Sequence, residues 1–289
     1  MGDFWKILRI LTTNCCNYRC LYCHNEGQEK ESEAEMLQLD SFYRIMSAVK
    51  GLGFKEIRFS GGEPLINPAT IDMIEWLNEK SDYEIGLASN GSLITEMQAE
   101  RLGRTRTLVT IHFPATDAAE YKRITGREID SFWKGVSYLE NSGVSFSYNH
   151  VLYPDTIKNL EDVLDSVIKQ GRRVKLLPYI ENGFRNLSGE IMSSVSADMD
   201  GKAKKKTVLD KEGIIVWEFE NGAKVKLLES PCYDHNIGRC REYAELRLLP
   251  DLSLQGCIFD RNRYSIKNME SEAIRDKMKE MWNRFDRCV

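Results

Sequence analysis

Short runs of alternating apolar and polar residues recur along the first two thirds of the chain. They predict six strands, at 6–12, 56–60, 84–89, 108–112, 145–152 and 174–179. Between them, apolar residues recur at helical spacing, as in 39–52, where Phe42, Ile45, Met46 and Val49 share one face. Six such units predict an α/β fold, a partial (β/α)6 barrel with a parallel sheet inside and helices outside. In barrels of this kind the chemistry lies at the C-terminal ends of the strands.

The pattern changes after residue 180. Residues 181–206 are rich in Ser, Gly, Asn and Lys and show no clear periodicity. The elements predicted beyond are a hairpin over 214–228 with its turn at Asn221-Gly222, a second hairpin over 246–257, and a helix over 271–286. The predicted organisation is therefore a barrel over 1–185, a linker or active-site loop over 186–206, and a small second domain over 207–289.

Composition excludes several classes of protein. The 289 residues are 42% hydrophobic, which allows a sizeable core, and carry a net charge of −4. A mildly acidic chain is a poor candidate for binding nucleic acid, which needs clustered Lys and Arg. No apolar run reaches the roughly 18 residues that span a bilayer, and the N-terminus has no signal-peptide pattern. We therefore predict a cytoplasmic protein with no membrane partner; the oligomeric state is not indicated.

The eight cysteines form two groups, four before residue 24 and four after residue 231. In a reducing compartment, cysteines are expected as ligands or buried thiols. Cys16, Cys20 and Cys23 follow the first strand at C-x3-C-x2-C spacing. Three thiolates on one loop hold three irons of a [4Fe–4S] cluster and leave the fourth iron open to a small molecule. The alternatives are a zinc site or disulfides.

The segment Gly61-Gly62-Glu63-Pro64 follows the second strand directly. Two glycines allow the backbone to approach a ligand closely, the carboxylate accepts hydrogen bonds from an ammonium group, and the proline fixes the exit. A plain turn is the alternative.

Together these two segments resemble the signatures of radical S-adenosylmethionine (SAM) enzymes, including the aromatic Tyr22 before the third cysteine. The resemblance implies SAM on the open iron and a 5′-deoxyadenosyl radical that abstracts hydrogen from a substrate. It also implies an electron donor such as flavodoxin or ferredoxin, and a contact of Glu63 with the methionine amino end of SAM.

By the same resemblance, further residues are predicted to bind the cofactor. They are Tyr22, Gly61, Gly62, Glu63, Pro64, Ser89, Asn90 and Asn149. A turn after the third strand is the alternative for Ser89-Asn90. His112 ends the fourth strand and is predicted to face the substrate, whereas His24 is either at the cluster edge or on the surface.

Cys232, Cys240 and Cys257 have a spacing that fits neither a common zinc pattern nor a ferredoxin run. The hairpin before Cys257 resembles the auxiliary-cluster domains called SPASM and Twitch, which implies a second [4Fe–4S] cluster. Cys288 is a candidate fourth ligand or a loose terminal thiol; structural zinc and free thiols stay open. Leu252 stands where the hairpin usually has glycine, so a different turn is predicted. Cys15, one residue off the ligand spacing, is predicted to be a packing thiol.

Within the family the chain resembles GTP 3′,8-cyclases, in which Arg9 and Arg247 match arginines used on the substrate. Glu245 and Ser147 stand where these relatives carry cations, which argues against a triphosphate. The predicted activity is therefore radical chemistry on a small molecule such as a sugar, nucleotide-like compound or natural-product precursor. Alternatives are peptide modification, for which the usual N-terminal recognition domain is not seen before the first strand, GTP cyclisation, and a non-catalytic electron-transfer or sensing iron–sulfur protein.

Overall fold

Six strands alternate with helices along the first part of the chain. The computed structural model describes residues 4–23, 34–179, 185–210, 213–229, 232 and 235–288, with only the backbone described at 185–190. The strands are β1 (Ile7–Leu11), β2 (Glu56–Ser60), β3 (Glu84–Ser89), β4 (Leu108–His112), β5 (Phe146–Leu152) and β6 (Arg173–Pro178). The helices are α1 (Leu39–Val49), α2 (Thr70–Lys80), α3 (Glu96–Gly103), α4 (Ala118–Thr125), α5 (Asp130–Asn141), α6 (Pro154–Ile157) and α7 (Leu160–Lys169).

Strands β1 to β6 lie side by side in chain order, and each pair is parallel. Alternate residues point to opposite faces of a strand. Ile57 and Phe59 of β2 are fully buried, and the ring of Phe59 lies 6.1 Å from Phe42 of α1. Arg58, between them, is only partly buried and points to the other face. The predicted barrel sheet with helices outside is confirmed.

The C-terminal elements extend both edges of this sheet. They are α8 (Arg185–Lys202), β7 (Lys205–Leu209), β8 (Ile214–Glu218), β9 (Lys224–Leu228), α9 (Ile237–Tyr243), β10 (Glu245–Leu248), β11 (Ser253–Gln255), β12 (Tyr264–Ser265) and α10 (Ser271–Arg284). Strand β9 pairs with β6, and β10 pairs with β1, both in parallel. Both predicted hairpins and the last helix are confirmed. Because one sheet of 12 strands runs through both regions, the domain boundaries at 185 and 206 stay a prediction.

The prediction that residues 181–206 are irregular is wrong in its described part. Residues 185–202 form α8, which buries Val195 and Met199 four residues apart. This narrow apolar stripe lies among Ser and Gly residues, so the helical period is weak in the sequence. Residues 181–184 of the same predicted segment lie outside the described residues.

The prediction that Leu252 changes its turn is also wrong, because Leu252 adopts the glycine-like backbone itself, with φ +61°. A non-glycine residue in this left-handed conformation costs about 1–2 kcal/mol. The turn is held by Leu252 N–H, which donates to Leu249 O at 3.1 Å, and by Asp251, whose carboxylate accepts from Ser253 N–H at 3.0 Å.

None of the helices in the described ranges has the length and apolar character that a bilayer-spanning segment needs.

Candidate functional site

The cysteine loop, residues 12–23, leaves the C-terminal end of β1 and rests on the segment that follows β2. Gly62 N–H donates to Thr13 O at 3.0 Å, and Glu63 N–H donates to Cys15 O at 2.7 Å. Two neighbouring strands therefore deliver the loop and the Gly-Gly-Glu segment to one place, as the parallel order of the sheet requires.

The two glycines make this contact possible. A Cβ on Gly62 would lie 2.0 Å from Cys15 O and 2.8 Å from Cys16 N, and a Cβ on Gly61 would lie 2.4 Å from Thr13 O. Gly61 also has φ +142°, which disfavours any side chain. The sequence-based interpretation was that these glycines make room for a ligand. In the structure they make room for the backbone of the cysteine loop, and their contact with a ligand stays a prediction.

The C-terminus of α4 holds the other side of the loop. The last carbonyl groups of a helix have no partner within the helix. Here Arg19 N–H donates to Thr125 O at 2.9 Å, and Leu21 N–H donates to Ile124 O at 3.1 Å. The Arg19 side chain also donates to Cys16 O at 2.6 Å. The loop is therefore fixed at both flanks before any cofactor binds.

The thiols of Cys16 and Cys20 are partly buried in the loop, and both have raised pKa values. Burial raises the pKa of Cys16 to about 11, and the charges of Glu63 and Cys23 add to this, while Tyr18 N–H, 3.4 Å from the sulfur, opposes it. Burial also raises the pKa of Cys20 to about 12, with contributions from Cys16 and Cys23. The nearby Arg19 charge opposes this rise only for Cys16. Neighbouring thiols with raised pKa values suit a bound metal centre that would favour the thiolate form. His24 lies outside the described residues.

Tyr22 and His112 contact each other through the Tyr22 hydroxyl and the His112 Nε2. Their rings lie 4.9 Å apart, and Tyr22 also hydrogen-bonds Cys20. Burial and the nearby His150 lower the pKa of His112 to about 3, so its imidazole is neutral. The contact gives His112 a place in the support of the cysteine loop; its role toward a substrate stays a prediction.

The Glu63 carboxylate is fully buried and joins β2 to β3. It accepts hydrogen bonds from Leu65 N–H at 3.2 Å, from Ser89 Oγ at 2.9 Å and from Asn90 N–H at 2.7 Å. A carboxylate has about four acceptor positions, so about one is left for a further donor such as an ammonium group. Pro64 begins a short 3-10 turn, and its carbonyl accepts from Thr70 Oγ1 at 2.6 Å, which fixes the exit from the segment.

We expect Glu63 to make the stability of the cofactor-free protein depend on pH. Burial raises its pKa from 4.5 to about 7 against the three hydrogen bonds. The folded state then holds a proton that the unfolded state releases, so stability is highest below pH 4.5 and falls as pH rises through 7. The loss is about 3 kcal/mol. Denaturant unfolding of the wild type and of Glu63→Gln over this range tests it. Equal pH slopes in the two proteins would contradict the assignment.

Asn90 is held by side chains of the cysteine loop and of its own turn. Its Nδ2 donates to Asn17 Oδ1 at 2.8 Å, and its Oδ1 accepts from Ser92 N–H at 2.9 Å. Asn17 Nδ2 in turn donates to Ser92 Oγ at 2.9 Å. The predicted cofactor residues Ser89 and Asn90 are thus adjacent to Glu63 and to the cysteine loop.

Asn149 Oδ1 in the middle of β5 and Ser60 Oγ at the end of β2 are buried polar atoms without a hydrogen-bond partner among the described residues. Asn149 is paired across the sheet with His112 on one side and Lys175 on the other. Buried polar atoms are nearly always hydrogen-bonded, so these two orphaned atoms fit a polar ligand. The residues present therefore fit a cofactor that brings both amino acid and ribose groups.

The two predicted substrate arginines lie beside Glu245. Arg9 Nε and Nη2 donate to its two carboxylate oxygens at 2.6 and 2.7 Å. Arg247 lies 3.5 Å from Glu245 and donates to Gln255 at 3.2 Å. Burial alone would raise the pKa of Glu245, but the attraction of Arg9 holds it below its usual value. The structure brings Arg9 and Arg247 together, with Arg9 occupied by the carboxylate.

The four C-terminal thiols lie near one another. Burial raises the pKa of Cys240 to about 12, and Cys232, Cys257 and Cys288 each contribute. Cys240 and Cys288 come together because Arg241 of α9 stacks 3.9 Å from the Trp282 ring of α10 and donates to the carbonyl of Phe285. Within the described ranges, no three His, Cys, Asp or Glu side chains are arranged around a single ion. A zinc site needs its ligands around one ion, so this arrangement argues against zinc. In a [4Fe–4S] cluster each thiolate binds a different iron, so the same arrangement does not argue against a cluster.

Sequence reasoning missed Asn17, Arg58 and Glu56. Arg58 Nε and Nη2 donate to Glu56 at 2.8 Å each. Glu56 and Arg58 are two residues apart on β2, and alternation places both on the inner face. Charged residues at inward positions of a barrel strand were the signal that could have found them.

These features define an α/β barrel with the loop of Cys16, Cys20 and Cys23 at the C-terminal ends of its strands. The family model described as the radical SAM superfamily matches residues 10–167, more than half of the chain. The chain belongs to the radical SAM superfamily. The predictions of an enzyme, of SAM as cofactor and of one [4Fe–4S] cluster are thereby confirmed, and the non-catalytic alternative is wrong.

Among curated proteins, a probable GTP 3′,8-cyclase of Methanococcus maripaludis is 28% identical over 177 residues, covering 61% of this chain and 59% of the relative. The chain thus matches less than two thirds of that relative. The GTP 3′,8-cyclase of Petrotoga mobilis is 25% identical over 292 residues, covering 93% of this chain and 87% of the relative.

Two solved structures share the fold. SuiB of Streptococcus suis bound to S-adenosylmethionine has a TM-score of 0.72 at 15% identity, covering 97% of this chain and 66% of that one. The enzyme anSMEcpe with bound AdoMet has a TM-score of 0.65 at 14% identity, covering 98% and 84%. At this identity the likeness shows the fold alone.

Proposed function

We propose that this enzyme cleaves SAM reductively and uses the resulting radical to abstract hydrogen from a small-molecule substrate such as a sugar, a nucleotide-like compound or a natural-product precursor, assisted by a second [4Fe–4S] cluster. The observation that carries the proposal is the seating of the cysteine loop on Gly61, Gly62 and Glu63. This packing fixes three thiols beside a buried carboxylate with one acceptor position left.

The chain's own residues supply placement. Cys16, Cys20 and Cys23 would hold the cluster, whose bound form supplies the electron that breaks the carbon–sulfur bond of SAM. Glu63 would accept from the SAM ammonium group, and Asn149 would hydrogen-bond the ribose. Tyr22, with His112 behind it, would keep the loop in place and water out of the site.

The four neighbouring C-terminal thiols support the second cluster, with Cys288 as the fourth ligand. Anaerobically reconstituted protein should then hold about eight irons per chain, and Cys257→Ala about four. Cys257→Ala should still cleave some SAM, because the barrel site is intact, but without coupling to product. A count of about four irons in the wild type would contradict the second cluster but not the cluster proposed for the barrel.

GTP cyclisation is the lesser candidate, although relatives carry that name. Glu245 occupies the guanidinium of Arg9, and a triphosphate needs several free paired donors. Peptide modification is favoured by one observation, the shared fold with SuiB, which has been crystallised with its precursor peptide SuiA. A short precursor-peptide gene beside the gene for this chain would favour that candidate over a small molecule.

A further inference from the structure

Charged side chains from strands on opposite sides of the barrel meet in its interior. Arg9 of β1 is paired across the sheet with Arg58 of β2. On the other side of the barrel, Lys175 of β6 interacts electrostatically with Arg9, Arg58 and Glu56. Because these residues alternate with fully buried apolar neighbours on their strands, they share the inner face. The barrel interior is therefore a charged layer, and its charges decide what substrate fits there.

Arg9 and Arg58 of this layer are each paired with a carboxylate of the protein, and Arg247, the neighbour of Arg9 across the sheet, lies 3.5 Å from Glu245 and donates to Gln255. The guanidinium fork of Arg9, its Nε and Nη2 atoms, donates two hydrogen bonds to the Glu245 carboxylate, at 2.6 and 2.7 Å. The fork of Arg58 donates two hydrogen bonds to the Glu56 carboxylate, each at 2.8 Å. A fork paired in this way is called closed. Two-bond pairs of this geometry are the strong form of a charge-assisted hydrogen bond. An incoming anion would have to displace a carboxylate from each fork.

The Glu56–Arg58 pair is also built into the sheet. A Cβ at Gly86, the neighbour of Arg58 on β3, would lie 2.8 Å from the Glu56 carboxylate. Because Gly86 has no side chain, the Glu56–Arg58 ion pair fits in the space beside it. The pair is thus a fixed part of the barrel wall.

Lys175, unlike Arg9 and Arg58, has no carboxylate paired with it among the described residues. In the part of the chain that the structure describes, its side chain makes no hydrogen bond or ion pair, although the residue is partly buried. Burial lowers its pKa to about 8, with the charges of Arg58 and Lys226 as further causes. The charges of Glu56 and Glu245 reach Lys175, but neither carboxylate forms an ion pair with it among the described residues. An anion placed beside this ammonium group would therefore give it a direct partner.

We propose that Lys175 binds a carboxylate group of the substrate, and that the substrate presents a single negative charge to this layer instead of a polyphosphate. This inference rests on the proposed function and names the substrate class of the same site. With the forks of Arg9 and Arg58 occupied by carboxylates, the Lys175 ammonium group takes the substrate charge, and a lysine serves a single charge without requiring the planar fork that phosphate groups favour.

The test is competitive acetylation of lysines with acetic anhydride, near the pKa of Lys175, on the reconstituted protein with SAM. Peptide mass spectrometry follows Lys175 and the exposed Lys55 as the internal control. Propionate, inorganic phosphate and tripolyphosphate are the probes, at equal concentration and constant ionic strength. Propionate should slow labelling of Lys175 several-fold and leave Lys55 unchanged, and tripolyphosphate should protect Lys175 no better than propionate.

The inference is overturned if no probe protects Lys175, or if phosphate or tripolyphosphate protects it better than propionate. Glu245→Gln opens the Arg9 fork without adding a side chain of different size. In this variant tripolyphosphate should protect Lys175 better than in the wild type, and an unchanged ranking would refute the role of the closed fork. Formation of 5′-deoxyadenosine in the same samples tests the proposed function separately, since labelling needs no turnover.

Discussion

Gly62→Ala is expected to abolish SAM cleavage while leaving the fold intact. The new Cβ would start 2.0 Å from Cys15 O, so the cysteine loop must move by about 1 Å. A displacement of this size at a catalytic centre costs roughly 10²-fold in rate or more. It also separates the Glu63 N–H from Cys15 O. The measurement is iron per chain after anaerobic reconstitution, with 5′-deoxyadenosine formation from SAM. We expect about four irons to be lost.

Gly201→Ala is the matched control. Gly201 lies near the end of α8, and a Cβ there would meet nothing within 4 Å. The variant should match the wild type in iron and in SAM cleavage. Should Gly62→Ala retain its full iron content and activity, the close contact between the two segments would not matter for the cluster.

Replacing Cys16 and replacing its neighbour Cys15 with alanine should have opposite effects on the cluster. Cys16→Ala removes a predicted iron ligand and should reduce SAM cleavage to background, since two thiolates do not hold the cluster. Cys15→Ala removes a buried sulfur that packs in the core, at about 1 kcal/mol of stability, and should keep the cluster.

The 5′-deoxyadenosine assay and the visible iron–sulfur absorbance of both variants decide the assignment. Thermal melting of each apoprotein shows whether a loss of iron merely follows from a loss of fold. If Cys15→Ala lost the cluster and Cys16→Ala kept it, the ligand spacing assigned here would be wrong.

The regular part of the fold was predictable because each strand and helix carries its own local pattern. All six barrel strands, both hairpins and the C-terminal helix were found from alternation, helical spacing and the Asn221-Gly222 turn. The neighbourhood of Cys16, Gly62 and Asn90 was predictable too, since parallel strands place their C-terminal ends at one edge.

What was missed depends on contacts between distant segments. The reason for Gly62 is the carbonyl of Cys15, which no property of the sequence around Gly62 shows. Helix α8 was missed because Val195 and Met199, the buried residues of its described side chains, lie among polar residues and Gly. Leu252 adopts a strained turn because its flanking strands pair, so tertiary structure overrides the local preference.

The charge balance of the barrel was only partly predictable. That Glu245 replaces a cation was visible in the sequence, but its two-bond pairing with Arg9 follows from strands β1 and β10 lying side by side. That the Lys175 side chain forms no ion pair among the described residues was not predictable, because its neighbours come from strands far apart in the chain.

The central claim is that the cysteine loop beside Glu63 forms a catalytic SAM site. The most direct test is anaerobic incubation of the reconstituted, dithionite-reduced wild-type protein with SAM, followed by quantification of products. The account predicts 5′-deoxyadenosine and methionine in equal amounts, and neither product from Cys20→Ala. A reducible wild-type cluster that yields no 5′-deoxyadenosine would contradict it.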